Sequence, residues 1–194
     1  MDVVIEKFQG IDLGTYSSFR LVGQKVPELA DVMRHSALAG QFLWLFFLAI
    51  LAWRWWAIEG RFPTGKLLRV LLIIAVVEAI RLLIDRPRPD DAQDILGSPD
   101  APRALFGFLT NGGGFPNGPT FRAVLISALM WETTSAGWGR WLGLVGAVLY
   151  CSWVMMAQLL SHLAFLSDVL GSLALALAIG FLSPRILGRQ SPSG

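Results

Sequence analysis

The chain has 194 residues, of which 54% are hydrophobic and only 15% charged, and its formal net charge is +2. With a mean hydropathy of +0.57 this composition points to the membrane. The small net charge, with no basic run, excludes nucleic acid as a partner, and the single cysteine, Cys151, excludes an intrachain disulfide.

From the N-terminus, charges recur through the first 35 residues, which therefore do not read as a signal peptide. Val3–Phe8 and Val26–Met33 read instead as short amphipathic pieces separated by a Gly/Ser/Tyr loop and lying on the membrane surface. Five apolar stretches then approach the length of about 20 residues that a helix needs to cross the hydrocarbon core: Ala37–Trp56, Leu67–Ile84, Thr120–Trp131, Trp138–Leu160 and Leu166–Leu187. The third is short unless Glu132–Thr134 form its interfacial end. Trp53, Trp55 and Trp56 cluster at the end of the first span, where indole rings favour the headgroup layer. Cys151 falls within the fourth span and reads as a small apolar residue.

The expected fold is an all-α integral membrane bundle of five transmembrane helices with an N-terminal amphipathic segment at the outer interface. Its parts are residues 1–36 (the amphipathic segment), 37–188 (the bundle) and 189–194 (a cytoplasmic tail). Arg54, Arg61, Lys66 and Arg69, Arg140, and Arg185 with Arg189 share one side, which the positive-inside rule makes cytoplasmic. On the other side Asp90, Asp91, Asp94 and Asp100 outnumber Arg86, Arg88 and Arg103. The N-terminus is thus expected outside and the C-terminus inside, in the manner of a bacterial inner membrane protein.

Ionisable residues within spans cost several kcal/mol against lipid and so face the protein interior or a site. Glu78 and Arg81, three apart, share a helical face, and Arg81 can also reach Asp85. That helix must stop at Arg86-Pro87-Arg88-Pro89. The end of the second span, the start of the third at "GFPNGPTF" (residues 114–121) and the start of the fifth at Asp168 all fall on the outer side. Arginine forks, glycine backbone and a helix N-terminus together suit phosphate. The alternatives are plainer: an internal Glu78–Arg81 pair, a mobile loop at Gly112–Gly114 and a helix cap at Asp168.

Over roughly Arg81 to Gly180 the sequence resembles the type 2 phosphatidic acid phosphatase family of lipid phosphatases. "RLLIDRPRP" matches that family's first motif through Arg81, Arg88 and Pro89; "PNGP", residues 116–119, stands at the Pro-Ser-Gly-His motif; Ala157, Gln158, Ala164 and Asp168 stand at the Ser, Arg, His and Asp of the third. The resemblance implies a phosphate-binding set of Arg81, Arg88, Asn117 and Gly118, supported by Asp168. It also implies three losses: the general acid at Pro119, an arginine at Gln158 and the nucleophile at Ala164. In the family the third-motif His attacks phosphorus, its Asp orients the ring and the second-motif His protonates the leaving oxygen. Two histidines remain, His35 and His162. His162 precedes Asp168 by six residues and lies about 120° around a helix from it.

The expectation is a catalytically inactive member that binds a phosphorylated lipid or polyprenyl carrier, or serves as a subunit of a membrane complex with protein partners. An active phosphatase or phosphotransferase using His35 or His162, and a purely structural subunit with an Arg88–Asp168 pair in the emptied site, are the alternatives. No cofactor and no metal are implied, because the family needs none and no cluster of metal-ligating residues stands in the sequence.

Overall fold

The computed structural model describes residues 2–84, 115–134, 137–161 and 163–186. Among these there are six α-helices and no strand: α1 (Asp2–Lys25), α2 (Pro27–Glu59), α3 (Thr64–Ile84), α4 (Gly118–Glu132), α5 (Trp138–Leu160) and α6 (Leu166–Ile186).

Local chemistry sets the boundaries. Pro27 opens α2, where a missing N–H costs nothing. Gly60 closes it at φ 67°, a left-handed conformation suited to glycine, and its N–H bonds to Trp56 O. α4 begins on Asn117 as N-cap with Pro119 in its first turn, and ends where the Thr133 and Thr134 hydroxyls donate to Met130 O.

The N-terminal region departs from the expected pair of short pieces joined by a loop. Gly10 to Ser18 are helical within α1, where the Ser17 and Ser18 hydroxyls donate to Gly14 O at 2.9 Å and so satisfy themselves inside the helix. Val26 to Met33 belong to α2, a 33-residue helix that runs through residues 36 and 37 without a break.

The middle of the bundle is α4. Gly118 through Ile126 are all buried, and Phe121, Val124, Leu125, Ile126 and Leu129 meet Leu48 and Leu51 of α2, Val70, Ile74 and Val77 of α3, and Ala176 of α6. Fifteen residues make a helix about 22 Å long, shorter than a hydrocarbon core of about 30 Å. This is tolerable because α2, α3, α5 and α6 surround it in place of lipid. Helices α4 and α6 approach closely where a Cβ on Gly180 would stand 2.9 Å from the Ala128 Cβ. Small residues permit this contact between helices.

The outside of the bundle is apolar. Trp138, Leu142, Val145 and Leu149 form an exposed stripe along α5, and Phe42, Leu45, Phe46 and Trp53 are exposed on α2. Phe42–Glu59 and Trp138–Leu160 are long and apolar enough to cross a membrane, and α6 has a shorter apolar run over Leu166–Leu182. Only 17% and 22% of the two longer windows are buried, so neither is the enclosed core helix of a water-soluble domain. An outward apolar surface of this kind marks a membrane protein. Of the three clustered tryptophans, Trp53 and Trp56 are exposed, whereas Trp55 turns inward, 4% exposed, with Lys66 Nζ 5.6 Å from its ring. At the same end Arg54 Nη2 donates to Thr133 O at 2.9 Å and Arg140 stacks 4.1 Å over Trp131.

Replacing Gly180 by Leu should destabilise the fold by about 2 kcal/mol through overpacking against Ala128. Gly143→Leu, at a position where an added Cβ meets nothing within 4 Å, should leave the thermal midpoint in detergent unchanged or slightly raised.

Candidate functional site

At the opposite end of the bundle the chain enters α4 through Phe115, Pro116 and Asn117. A helix that starts inside a protein has four N–H groups without intrahelical partners. Asn117 answers this need: its Oδ1 accepts from Thr120 N at 3.0 Å. Its own N–H donates to Ser172 Oγ at 2.6 Å, and that hydroxyl donates to Asp168 O at 2.7 Å. Its Nδ2 donates to Gln158 Oε1 at 3.2 Å. One asparagine thus joins the start of α4 to the ends of α5 and α6. Not every polar atom around it is spent. Gln158 Nε2, Thr120 Oγ1 and, three residues beyond Gln158, Ser161 Oγ are buried without a hydrogen-bond partner.

The second part of the site comes from α3. Val70, Ile74 and Val77 form a buried stripe, and Arg81 continues it one turn on, 4% exposed. Arg81 Nη1 donates to Glu78 Oε2 at 3.0 Å, and the other carboxylate oxygen accepts from Arg122 Nη1 of α4. Arg122 is itself 4% exposed, with its guanidinium 5.5 Å above the Trp44 ring. The Glu78 carboxylate lies against Gly118: a Cβ there would collide with Oε1 and stand 3.2 Å from Arg81 Nη1. Glycine at this position lets the carboxylate come this close; a Cβ would require the Glu78 side chain to shift.

The third part lies at the N-terminus of α6. Asp168 is fully buried and its Oδ2 accepts from Phe165 N at 3.2 Å, so it caps its own helix. Ser167, next to it, gives both its N–H (2.9 Å) and its hydroxyl (2.6 Å) to the carboxylate of Asp12, from α1. Seven residues along the same face of α1, Phe19 packs on Leu159, Ala164 and Val169.

Of the residues singled out in the sequence, Asn117, Gln158 and Asp168 are thus linked, and Arg81 and Gly118 meet through Glu78. Arg88 lies outside the described residues, as do His162, Gly112–Gly114 and the 189–194 tail. The Glu78–Arg81 pair exists, and it is part of a larger arrangement with Arg122. His35 is exposed on α2 and its Nδ1 lies 2.8 Å from Asp31 O within its own helix. Met33 and Ala37, two residues to either side, face Ala157 and Leu163. His35 therefore turns away from them.

Arg122, Asp12 and Ser172 escaped the sequence reading. Arg122 could have been found, since it is a cation inside an apolar span, the signal that exposed Glu78 and Arg81. Asp12 carries no such signal, because a carboxylate on an amphipathic helix normally faces water.

No protein-family model matches the sequence, and neither does any curated protein. Among solved structures, a transmembrane PAP2 type phosphatidylglycerolphosphate phosphatase from Bacillus subtilis superposes with a TM-score of 0.70. The match covers 96% of this chain and 89% of the other at 20% sequence identity. The two chains share a fold.

Chemically, the arrangement offers guanidinium, amide and hydroxyl donors. Ala164 and Pro119 bring no group able to attack phosphorus or move a proton, and Ala164 is packed within an apolar cluster.

Asn117→Ala should lower stability by at least about 1 kcal/mol, the usual worth of an N-cap, since it also leaves Gln158 Oε1 without its donor. Asn117→Asp keeps the cap acceptor and should recover part of that loss in the same denaturant titration. Asp12→Ala should free α1 from α6 and speed proteolytic cleavage within residues 2–25 while the bundle stays folded.

Proposed function

We propose that this protein is a five-span member of the type 2 phosphatidic acid phosphatase family without hydrolytic activity. It binds the phosphate of a phosphorylated lipid or polyprenyl carrier, alone or as a subunit of a membrane complex. Helices α2 to α6 are the spans, α1 covers the outer face and the basic end with Arg54 and Arg140 faces the cytoplasm.

The observation that carries this reading is the contrast within one site. Asn117, Gly118 and Arg81 bring polar donors to the start of α4, while the positions of the two catalytic histidines hold Pro119 and a buried Ala164. Gln158, at the position of the third-motif arginine, still presents a buried amide N–H without a partner. Among the described residues such a site has donors for an anion and no group able to attack phosphorus or protonate a leaving oxygen. The structural neighbour is by name a phosphatidylglycerolphosphate phosphatase, so a lipid bearing a terminal phosphate is a natural ligand class for this chain too. A second reading, a structural subunit without ligand, is favoured by the Glu78 carboxylate that already faces Arg81 and Arg122.

Purified protein in mild detergent should release no phosphate from phosphatidic acid or polyprenyl diphosphate above a protein-free control, and should retain phosphatidic acid in native mass spectrometry. Arg81→Gln should weaken that retention by roughly tenfold or more, the worth of a charge-assisted hydrogen bond. Turnover abolished by His35→Ala or His162→Ala would establish an active enzyme instead, and absence of any bound phospholipid would favour the structural subunit.

A further inference from the structure

Glu78 stands where a ligand anion would be expected. Its carboxylate lies against Gly118 at the opening of α4 and accepts from two guanidiniums, those of Arg81 and Arg122. Both arginines are 4% exposed. Arg122 comes from α4, three residues beyond Pro119, and belongs to none of the motifs of the resembled family. Its Nε is buried without a hydrogen-bond partner. The cradle therefore has more donor capacity than Glu78 uses. A carboxylate has two oxygens and one charge; a phosphomonoester has three terminal oxygens and a charge of about −1.5 to −2 at neutral pH.

We propose that Glu78 is a resident counter-anion of the headgroup cradle, and that Arg122 is a further anion-binding residue released to a phosphate group when it displaces that carboxylate. This rests on the reading that the site takes a phosphorylated headgroup. It also gives the site a selectivity. A phosphomonoester exceeds Glu78 in charge and in acceptor number and displaces it. A phosphodiester brings one charge, no more than the tethered carboxylate, and does not. Glu78 thus separates lipids with a terminal phosphate from the bulk of diester phospholipids around the protein, and Gln158 need not be an arginine for the site to have a second guanidinium.

The test is binding of phosphatidic acid and of phosphatidylglycerol, each at a fixed fraction in phosphatidylcholine nanodiscs, to the full chain and two variants. Wild type should retain phosphatidic acid and not phosphatidylglycerol. Glu78→Gln should bind phosphatidic acid about tenfold more tightly and should acquire phosphatidylglycerol binding. Arg122→Gln, which keeps the Glu78–Arg81 pair, should bind phosphatidic acid about tenfold more weakly. Phosphatidic acid binding that is equal or weaker in folded Glu78→Gln overturns the counter-anion role and leaves the headgroup reading standing. Binding by Glu78→Gln but not by wild type supports the counter-anion role and overturns the headgroup reading for the native protein. Binding by neither overturns both. If Glu78→Gln does not fold, Arg122→Gln decides: unchanged affinity overturns the proposal and a tenfold loss supports it.

Discussion

A helix that begins inside an apolar bundle must find partners for its first N–H groups within the protein, because lipid offers none. In this molecule that requirement falls on Asn117, and the arrangement around it follows. Its side chain caps α4, its amide reaches Gln158 on α5 and its N–H reaches Ser172 on α6. The short central helix is thereby fixed in height against its neighbours, and Gly118 is brought against the charged end of α3. Polar contacts at one end and close packing of small residues further along, as at Gly180 and Ala128, together hold a helix that never needs to face lipid.

Both sides of the site are packed and bonded. Ala164 sits in an apolar cluster with Phe19, and Asp168 accepts a hydrogen bond from the backbone of its own helix turn. A carboxylate at that depth is expensive unless it is bonded, and one of its bonds is to the Phe165 N–H. The opposite side of the site, with Glu78 between Arg81 and Arg122, shows the same economy. Buried guanidiniums persist where a carboxylate answers them, and breaking such an arrangement costs more than never having built it.

Much of this was legible in the chain itself. Hydropathy located α3, α5 and α6 to within a few residues, because spans are dictated by length and by where proline, glycine and charge interrupt them. Among the motif positions, Asn117 and Gln158, 41 residues apart, share a hydrogen bond, and Ser172 Oγ links the Asn117 N–H to the Asp168 carbonyl. Other features were hidden for definite reasons. Gly10 to Ser18 are helical, with the Ser17 and Ser18 hydroxyls satisfied by Gly14 O inside the helix, whereas composition alone reads the stretch as loop. Trp55 and its neighbours are chemically alike, and only the rotation of α2 decides which of them is buried. The partnership of Arg122 with Glu78 requires knowing which face of α4 meets α3, and no local pattern encodes that.

The contact between Asp12 and Ser167 has a consequence for assembly. It joins residues 155 positions apart and connects the first described helix to the last. Synthesis runs from the N-terminus, so α1 is finished long before the α6 backbone that receives it exists. Until then the Ser167 N–H and hydroxyl that bond to the Asp12 carboxylate are not yet part of the chain. The α1–α6 contact can therefore form only once α6 has been made, and with it Phe19 comes to rest against Ala164.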